Sequence, residues 1–377
     1  MDVEYDEDFV KRLSSVAGEM NISAGTLGEK NKRLDHGTMI PLYYVNNYYS
    51  EYKAVRISIS GLSFAEHYRF GKCIQKIAEE IDKKVVFIAS GDLSHMLKDE
   101  GPYGYREEGA VFDRELTAAI SNGNFLKLLN FDEEFCEVAG ECGMRSFIIL
   151  AGALNGRDVD SRLLSYEGPF GVGYAVAEFT IKGHNEERNF DEIYLRDEEE
   201  RVKGLKKEED IYVRLARRAL ESYVIRHKKI KKSDDLDNEL LDNRAGVFVS
   251  LQLDGRLRGC IGTIDPVYSC IADEIIQNAI SAGMEDPRFY PVREDELPRM
   301  IYSVDVLGVP EPIESMDELE PLRYGVIVAK GSKRGLLLPD LEGINTPEEQ
   351  VSIALKKAGI SPSDNYSIER FEIIRHK

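Results

Sequence analysis

The chain has 377 residues, too many for one ordinary domain, and this length predicts two or three domains. Its formal net charge of −19 argues against a basic surface for phosphate groups, so we expect no nucleic-acid partner. No apolar run approaches the length of a membrane span, the acidic N-terminus lacks a secretion signal, and the cysteines follow no disulfide spacing; we therefore expect a cytoplasmic protein that does not contact membranes.

The first half alternates strand-like and helix-like patterns of apolar residues. Strands are predicted at 54–60, where apolar and polar residues alternate, and at 84–89, which is continuously apolar. Helical periodicity is present in the segments 70–81, 112–120 and 144–151. Two more strands flank the glycine-rich stretch "EGPFGVGY". This order predicts an α/β domain with a central mixed sheet.

A strongly charged segment follows, and it predicts the domain boundary. Residues 181–210 contain few apolar side chains, which is typical of an exposed linker or of a solvated helix between two modules. We therefore predict a first domain at 1–180, a charged linker at 181–204 and a second domain at 205–377.

The second half carries a different order of elements. A strong helical period begins at Ile211, a hairpin follows at 247–262, and a second helix spans 271–280. Further strands are predicted at 301–307, 325–329 and 335–338. A capping box at Thr346 starts the last helix, and Gly359 ends it. This order predicts an α+β domain with a mostly antiparallel sheet.

The hairpin at 247–262 admits two registers. A two-residue turn at Asp254 would pair Leu251 with Arg258 and mix apolar with charged side chains on one face. A three-residue loop would pair Leu251 with Leu257 instead. We expect the second register, because it gives the strands one wholly apolar face.

This register places Arg258 and Cys260 on the same face of the hairpin. A thiol beside an arginine has the chemistry of a nucleophile with a lowered pKa. The alternative is that Cys260 packs in the core and Arg258 binds a carboxylate or a carbonyl group, which is the commoner situation for cysteine.

The sequence Ser-Gly-Asp-Leu-Ser-His follows directly after the predicted strand 84–89. Ligands of α/β proteins bind beyond the carboxyl ends of strands, so this stretch occupies a favourable place for a site. Asp92 can orient the imidazole of His95, which makes His95 a candidate acid/base or metal ligand. The alternative is an ordinary loop histidine.

Two other stretches carry side chains of matching chemistry. "LDHGTMIPL" contains His36, and "AGECGMRSF" places Glu141, Cys142 and Arg145 at a glycine-flanked helix start, where the helix dipole favours anions. Two histidines and a carboxylate form the ligand set of non-haem Fe(II). The alternative assignments are a turn histidine, a helix cap and a small buried cysteine.

Together with "PYGY" and "LLSYEGPFGVGYAVAEF", these stretches resemble the class III extradiol dioxygenase superfamily, in its Memo-like branch. The resemblance implies an α/β fold, and the dioxygenases of this superfamily bind Fe(II) and cleave catechol-type rings. It implies that His95 is the acid/base and that His36 lines the same pocket. The third metal ligand would be Glu141 by analogy with the dioxygenases or Cys142 by analogy with Memo proteins.

The sequence departs from this family at its beginning. The family takes two histidine ligands from strands that precede the position of His36, and the residues before Leu34 contain no histidine. We therefore expect the first domain to lack these ligands and its amino-terminal strands. His67 lies in "LSFAEHYRF", which resembles no ligand stretch of the family and predicts a loop or helix-start residue. A shortened sheet exposes an edge unless another segment covers it.

The second half resembles the AMMECR-type domain through "LRGCIGT", "NAISAG", "DPRFYPV", "YSVDVLG" and "TPEEQVSIALKKAGI". The resemblance implies an α+β fold and no settled activity. Memo-like and AMMECR-type domains occur fused, and also beside radical-SAM proteins, in prokaryotes. This arrangement implies a radical-SAM partner in an oxidation or modification pathway.

Two functions follow from these resemblances. The first is a metal-dependent oxidoreductase that acts on a small aromatic compound or another small molecule. The second is a catalytically silent accessory or scaffold protein that binds a radical-SAM partner or its substrate. The missing ligand histidines favour the second function, whereas the dioxygenase-like motifs favour the first.

Overall fold

The structure, a computed structural model, describes residues 3–25, 34–233, 236–341 and 343–377. Contacts within the chain divide it into two compact units, Met1–Asp197 and Glu198–Lys377. The first unit is an α/β module and the second is an α+β domain, as the sequence predicts. Within the described segments, no helix combines the length and the apolar character needed to cross a lipid bilayer.

Helices make up most of the first unit. They are α1 (Glu7–Glu19), α2 (His36–Asn46), α3 (Phe64–Glu80), α4 (Glu107–Ser121), α5 (Phe125–Leu129), α6 (Glu133–Ala139) and α7 (Met144–Ala153). Strands β1 (Arg157–Glu167) and β2 (Tyr174–His184) form an antiparallel hairpin. The three predicted helices correspond to α3, α4 and α7, and the two strands predicted beside the glycine-rich stretch are β1 and β2.

Helix α3 begins earlier than the apolar period predicts because a capping box defines its start. The Ser63 hydroxyl accepts a hydrogen bond from the Glu66 N–H, and the Glu66 carboxylate accepts one from the Ser63 N–H. His67 lies in the first turns of this helix and is buried, and its Nδ1 is 2.9 Å from the Ser63 carbonyl oxygen. His67 is therefore a helix-start residue, as the sequence predicts.

Helices α3 and α7 pack against each other through glycines. A Cβ atom at Gly152 would lie 2.0 Å from the Tyr68 carbonyl oxygen, and one at Gly71 would lie 2.1 Å from the Ile149 carbonyl oxygen. Because both obstacles are backbone atoms, they cannot rotate away as a side chain can. The spacing of the two helices therefore requires glycine at both positions.

The predictions of regular strands at 54–60 and 84–89 are wrong. In the described part of the chain, residue 54 forms one parallel bridge with Tyr5, and no backbone–backbone hydrogen bond involves residues 84–91. A strand is defined by pairing, and neither segment has a paired neighbour of useful length. As a consequence the apolar side chain of Val86 is 85% exposed.

The segment before Leu93 separates from β2 and opens an apolar groove. The N–H of Leu93 donates to the Gly173 carbonyl at 2.9 Å, and the N–H of Gly173 donates to the Ser94 carbonyl at 2.8 Å. On the other side of these bonds the two segments diverge around a cavity of about 660 Å³, which we call the apolar groove. Its lining includes Ile74, Val85, Phe87, Leu150, Ala177 and Phe179.

Helix α8 (Phe190–Glu208) crosses the division between the two units. The predicted linker, 181–204, contains the end of β2, a short 3₁₀ helix at Glu186–Arg188 and much of α8. The sequence left open an exposed linker or a solvated helix, and much of the segment forms a charged helix.

The second unit combines helices with two four-stranded antiparallel sheets. Its helices are α9 (Ile211–Arg226), α10 (Asn238–Asp242), α11 (Ile271–Met284) and α12 (Pro347–Ala358). Its strands are β3 (Val247–Leu253), β4 (Arg256–Gly262), β5 (Met300–Leu307), β6 (Glu311–Pro312), β7 (Gly325–Lys330), β8 (Lys333–Leu337), β9 (Ser367–Phe371) and β10 (Ile373–His376). The predicted helices and strands of this half are all confirmed.

Each sheet has its own core. The sheet of order β10-β5-β3-β4 packs against α9 and α11, and the sheet of order β6-β9-β7-β8 packs against α12. A smaller apolar cluster, which includes Leu307, Ile327 and Phe371, contains residues of both sheets. The capping box predicted at Thr346 is present, and Gly359 takes the left-handed conformation that ends α12.

The predicted register of the β3–β4 hairpin is wrong. The turn is the two-residue type, with positive φ angles at Asp254 and Gly255, and a bulge at Arg258 then pairs Leu251 with Gly259. The bulge keeps apolar and charged side chains apart without a longer loop. Leu257, which was expected on the apolar face, is 44% exposed.

The α3–α7 contact gives a test of the packing. Gly152→Ala should lower the free energy of unfolding by about 2–3 kcal/mol, because the new methyl group meets backbone of α3. The control is Gly18→Ala in α1, where a Cβ meets no atom within 4 Å and stability should stay equal or rise slightly. Urea unfolding followed by circular dichroism measures both, and equal stabilities would contradict the packing described.

Candidate metal centre

Three side chains of the first unit converge at its loop ends. A carboxylate oxygen of Asp92, a ring nitrogen of His95 and the sulfur of Cys142 all lie within 4.8 Å of one another. The first two side chains are partly buried and the third is exposed. Carboxylate, imidazole and thiolate are each ordinary ligands of transition metals.

Contact between two glycines brings these side chains together. A Cβ atom at Gly91 would lie 2.3 Å from the Cα of Gly143, so the two loops touch at their backbones. The N–H of Asp92 donates to the Cys142 sulfur at 3.2 Å, and the N–H of Cys142 donates to the Asp92 carbonyl at 3.4 Å. The sequence therefore needs small residues on both sides of the site for geometric reasons.

The ring of His95 is held in place, yet one of its nitrogens has no hydrogen-bond partner in the part of the chain that the structure describes. The ring stacks on Tyr103 with centroids 5.1 Å apart, and the backbone N–H of His95 donates to Gly140 at 3.1 Å. Among the described residues, no group forms a hydrogen bond with the buried Nε2, and the Asp92 carboxylate lies 3.4 Å from it. Buried polar atoms normally have partners, so this nitrogen is available to a ligand.

The thiol of Cys142 belongs to the same electrostatic environment. Although the residue as a whole is exposed, partial desolvation of its sulfur raises the thiol pKa, the hydrogen bond from the Asp92 N–H opposes this, and the carboxylates of Asp92 and Glu141 raise it again. Anionic groups that repel each other in one small volume are stabilised by a cation placed among them. The donor set and its charge therefore both fit a metal ion.

Glu141 and Arg145, both predicted at this site, lie outside the cluster. The Glu141 carboxylate accepts a hydrogen bond from the Met144 N–H at 2.6 Å and so caps α7, and burial raises its pKa. The Arg145 guanidinium pairs with Glu133 at 3.1 Å and lies over the Phe64 ring. In the structure, both side chains support α7 and neither belongs to the three-donor cluster.

His36 is the first residue of α2 and is exposed. The carboxylate of Asp35 caps this helix by accepting from the Thr38 N–H at 2.8 Å. A Cβ at the neighbouring Gly37 would lie 3.9 Å from the Ser90 hydroxyl, so the start of α2 adjoins the loop that carries His95. The structure places His36 beside the site but outside the three-residue cluster.

Asp113 was not among the predicted site residues, and its side chain holds the His95 loop from the side opposite the cluster. Asp113 is 1% exposed, and its carboxylate accepts from the Ser94 N–H at 2.8 Å and from the Tyr166 hydroxyl at 2.7 Å. Burial raises its pKa, and these hydrogen bonds act in the opposite direction. The signal was present, because Asp113 shares a helical face of α4 with Leu116 and Ile120.

The two candidates of the second unit, Arg258 and Cys260, are held by an ion pair and by hydrogen bonds. The Arg258 guanidinium bonds Glu296 at 2.8 Å and lies over the Phe289 ring. Burial raises the pKa of the Cys260 thiol, and the Ser250 hydroxyl donates to its sulfur at 3.2 Å. These contacts favour a structural role for both residues over the predicted nucleophile.

Comparison with known proteins now places the two units. A family model described as the catalytic LigB subunit of aromatic ring-opening dioxygenase matches residues 1–177, and the AMMECR1 model matches residues 213–376. Protein CA_C1420 of Clostridium acetobutylicum is 49% identical over 345 residues, which cover 91% of this chain and 73% of that protein. The chain belongs to the family that joins a LigB-type domain to an AMMECR1 domain.

Other relatives match one domain. A Thermotoga maritima protein is 50% identical over 168 residues, which cover 44% of this chain and 97% of that protein. The crystal structure of protein PH0010 from Pyrococcus horikoshii is 35% identical in sequence, with a TM-score of 0.41, and covers 44% of this chain and 88% of that structure.

The role of Asp113 can be tested by hydrogen exchange. Asp113→Ala should speed exchange of the Ser94 amide at least roughly tenfold, because it removes the carboxylate that accepts from the Ser94 N–H. Tyr166→Phe, which keeps the bond to Ser94, is the matched control and should have a smaller effect. Equal exchange in all three proteins would refute the role assigned to Asp113.

The stability of the second unit should depend on pH through the carboxylate of Asp286. Hydrogen bonds from Arg288, opposed by burial and aided by the Cys260 N–H, lower the pKa of Asp286 to about 2. A folded-state pKa below the usual 3.8 stabilises the fold above that pH, and this gain is lost as the pH falls toward 2. Asp286→Asn should therefore cost about 1–2 kcal/mol at neutral pH and progressively less in acid.

Urea unfolding over a pH series measures this difference. Glu314→Gln, at an exposed carboxylate of the same unit, is the control and should leave the free energy of unfolding nearly unchanged. A penalty for Asp286→Asn that stays constant down to low pH would contradict the assignment.

Proposed function

We propose that the LigB-type domain is a metal-dependent oxidoreductase module whose Fe(II) is held by Asp92, His95 and Cys142. The observation that supports this most directly is the convergence of three donor atoms within 4.8 Å, one of them a buried histidine nitrogen that has no hydrogen-bond partner among the residues the structure describes. The family match to a ring-opening dioxygenase subunit is consistent with it. When bound, Fe(II) would supply redox chemistry toward dioxygen and an aromatic substrate.

The residues of the chain prepare this site in distinct ways. Tyr103 restricts rotation of the His95 ring by stacking on it. Two hydrogen bonds fix the spacing of the two loops: the Asp92 N–H donates to the Cys142 sulfur, and the Cys142 N–H donates to the Asp92 carbonyl. Three protein ligands leave positions open for a substrate, which is the usual arrangement of a catalytic metal centre.

The proposal gives Cys142, rather than Glu141, the place of the third ligand. The Glu141 carboxylate is engaged at 2.6 Å with the Met144 N–H, whereas the Cys142 sulfur lies in the cluster. It also gives His95 the role of a ligand, whereas the family resemblance gives it that of an acid/base. Iron loading separates these roles, because removal of an acid/base leaves metal affinity nearly intact.

A radical-SAM partner, an aromatic substrate and a function for the AMMECR1 domain stay predictions from the resemblance. The accessory or scaffold role also stays a prediction. Iron binding bears on the choice between the two functions, because a silent scaffold has no requirement for a metal centre.

The test is metal analysis after anaerobic loading with Fe(II) and removal of free iron. The wild-type chain should retain about one iron per chain, and His95→Ala and Cys142→Ala should each reduce retained iron at least roughly tenfold. His36→Ala, beside the site but outside the cluster, is the matched control and should retain iron as the wild type does.

Circular dichroism of each variant checks that the fold is unchanged. Absence of iron from the wild-type chain, or equal iron in wild type and Cys142→Ala, would overturn the proposal. Loss of iron in Glu141→Gln with no loss in Cys142→Ala would move the ligand to Glu141.

A further inference from the structure

A lysine and a cysteine lie in direct contact at the start of α11, far from the candidate metal centre in the sequence. The ammonium nitrogen of Lys232 is 3.2 Å from the sulfur of Cys270 and 3.0 Å from the carboxylate of Asp273. It is also 3.3 Å from the hydroxyl of Ser269. Two residues that are 38 positions apart in the sequence thus bring an amine into contact with a thiol.

The surroundings of this pair differ from those of the other cysteines. Cys270 is 1% exposed and is the residue before the first turn of α11, whereas the Lys232 side chain above it is 37% exposed. The hydrogen bonds of the other four cysteines, as far as the described residues give them, involve no lysine. Among the hydrogen bonds of the described residues, Cys270 is therefore the cysteine whose sulfur contacts a lysine nitrogen.

We propose that Lys232 and Cys270 are a site of oxidative modification, at which hydrogen peroxide joins their side chains by a covalent nitrogen–sulfur bond. Peroxide first oxidises the thiol to a sulfenic acid and releases water. The lysine nitrogen then attacks this sulfur, the sulfur–oxygen bond breaks, and a second water leaves. Condensation of a sulfenic acid with a nearby nitrogen is known chemistry, and contact between the two atoms makes it effectively unimolecular.

The reaction balances with one oxidant molecule. A lysine ammonium, a thiol and one hydrogen peroxide give the cross-link, two waters and one proton. Sulfur loses two electrons, the peroxide gains two, and the nitrogen provides the electron pair of the new bond. Asp273, which accepts hydrogen bonds from both Lys232 and Ser269, holds the lysine nitrogen beside the sulfur, and the proton of the ammonium is released to water.

The cross-link would have a structural consequence. Lys232 lies in the segment after α9, and Cys270 fixes the start of α11, so the bond closes the intervening chain into a covalent loop. Closing a loop restricts the unfolded state more than the folded one and stabilises the fold. The modified protein should therefore unfold at a higher temperature, and a thiol reductant should reverse the change.

The test uses the full chain, first reduced and then treated with a slight excess of hydrogen peroxide. Proteolysis without reductant and mass spectrometry should reveal a species that joins the peptides of Lys232 and Cys270 and is two hydrogen atoms lighter than their sum. Dithiothreitol should split it. Treated protein should show a Tm higher by about 5 °C, and this gain should vanish after reduction.

Matched variants identify the atoms. Lys232→Arg keeps the positive charge and the donor groups but lacks the lysine amine, so it should abolish the cross-linked species, as should Cys270→Ser. Lys231→Arg, at the exposed neighbouring lysine, should leave its yield unchanged.

Either of two oxidation products would overturn the proposal as a whole, and a third result would refute its assignment of the nitrogen. One is treated wild-type protein in which the exposed Cys142 is oxidised while Cys270 stays a free thiol. The other is Cys270 carried on to sulfinic acid with Lys232 unmodified. A cross-link that persists in Lys232→Arg would also refute the assignment of the nitrogen.

Discussion

The contact between the backbones at Gly91 and Gly143 is the constraint on which the candidate metal centre depends. A single methyl group at Gly91 would meet the Cα of Gly143 at 2.3 Å, so the two loops can approach only without side chains. That approach places Asp92 and Cys142 in mutual hydrogen-bonding distance and sets the position of His95. The buried Asp113 holds the same loop from the other side. The site is thus built from backbone geometry first and from ligand side chains second.

The second domain uses its charges differently. Several of its arginines are bound to buried acids, as in the pairs Arg258–Glu296, Arg288–Asp286 and Arg375–Asp305. Such pairs fix the strands and the turns that carry them, and breaking one leaves its partner uncompensated. The chemistry that the structure brings together in this domain lies instead at Lys232 and Cys270, where an amine and a thiol touch.

Much of this fold could be predicted from the sequence, because most elements carry local signals. The helices α3, α4, α7, α9 and α12 follow from apolar periodicity and caps, which neighbouring residues determine. The strands expected at 54–60 and 84–89 failed because pairing depends on a neighbour that no local pattern reveals. The β3–β4 register failed because a bulge at one residue changes every later pair.

The same limit applies to the site. The sequence indicated the two stretches whose side chains converge in the structure, but it left Glu141 and Cys142 as alternatives, because only the fold shows that the Glu141 carboxylate bonds the Met144 N–H. Asp113 was not predicted because a carboxylate in a helix is usually solvated, and only the packing of α4 shows that this carboxylate is buried.

The apolar groove and the exposed Val86 beside it bear on how this protein behaves at the bench. Dyes such as anilinonaphthalene sulfonate become fluorescent on open apolar surface, and their signal is commonly taken as a mark of loosened structure. The folded chain offers such a surface in the apolar groove, whose volume is about 660 Å³. Among the described residues, no backbone–backbone hydrogen bond involves the segment 84–91, which borders this groove. Dye fluorescence therefore reports the native fold as well as its loss, and near-ultraviolet circular dichroism is the better measure of folding for this chain.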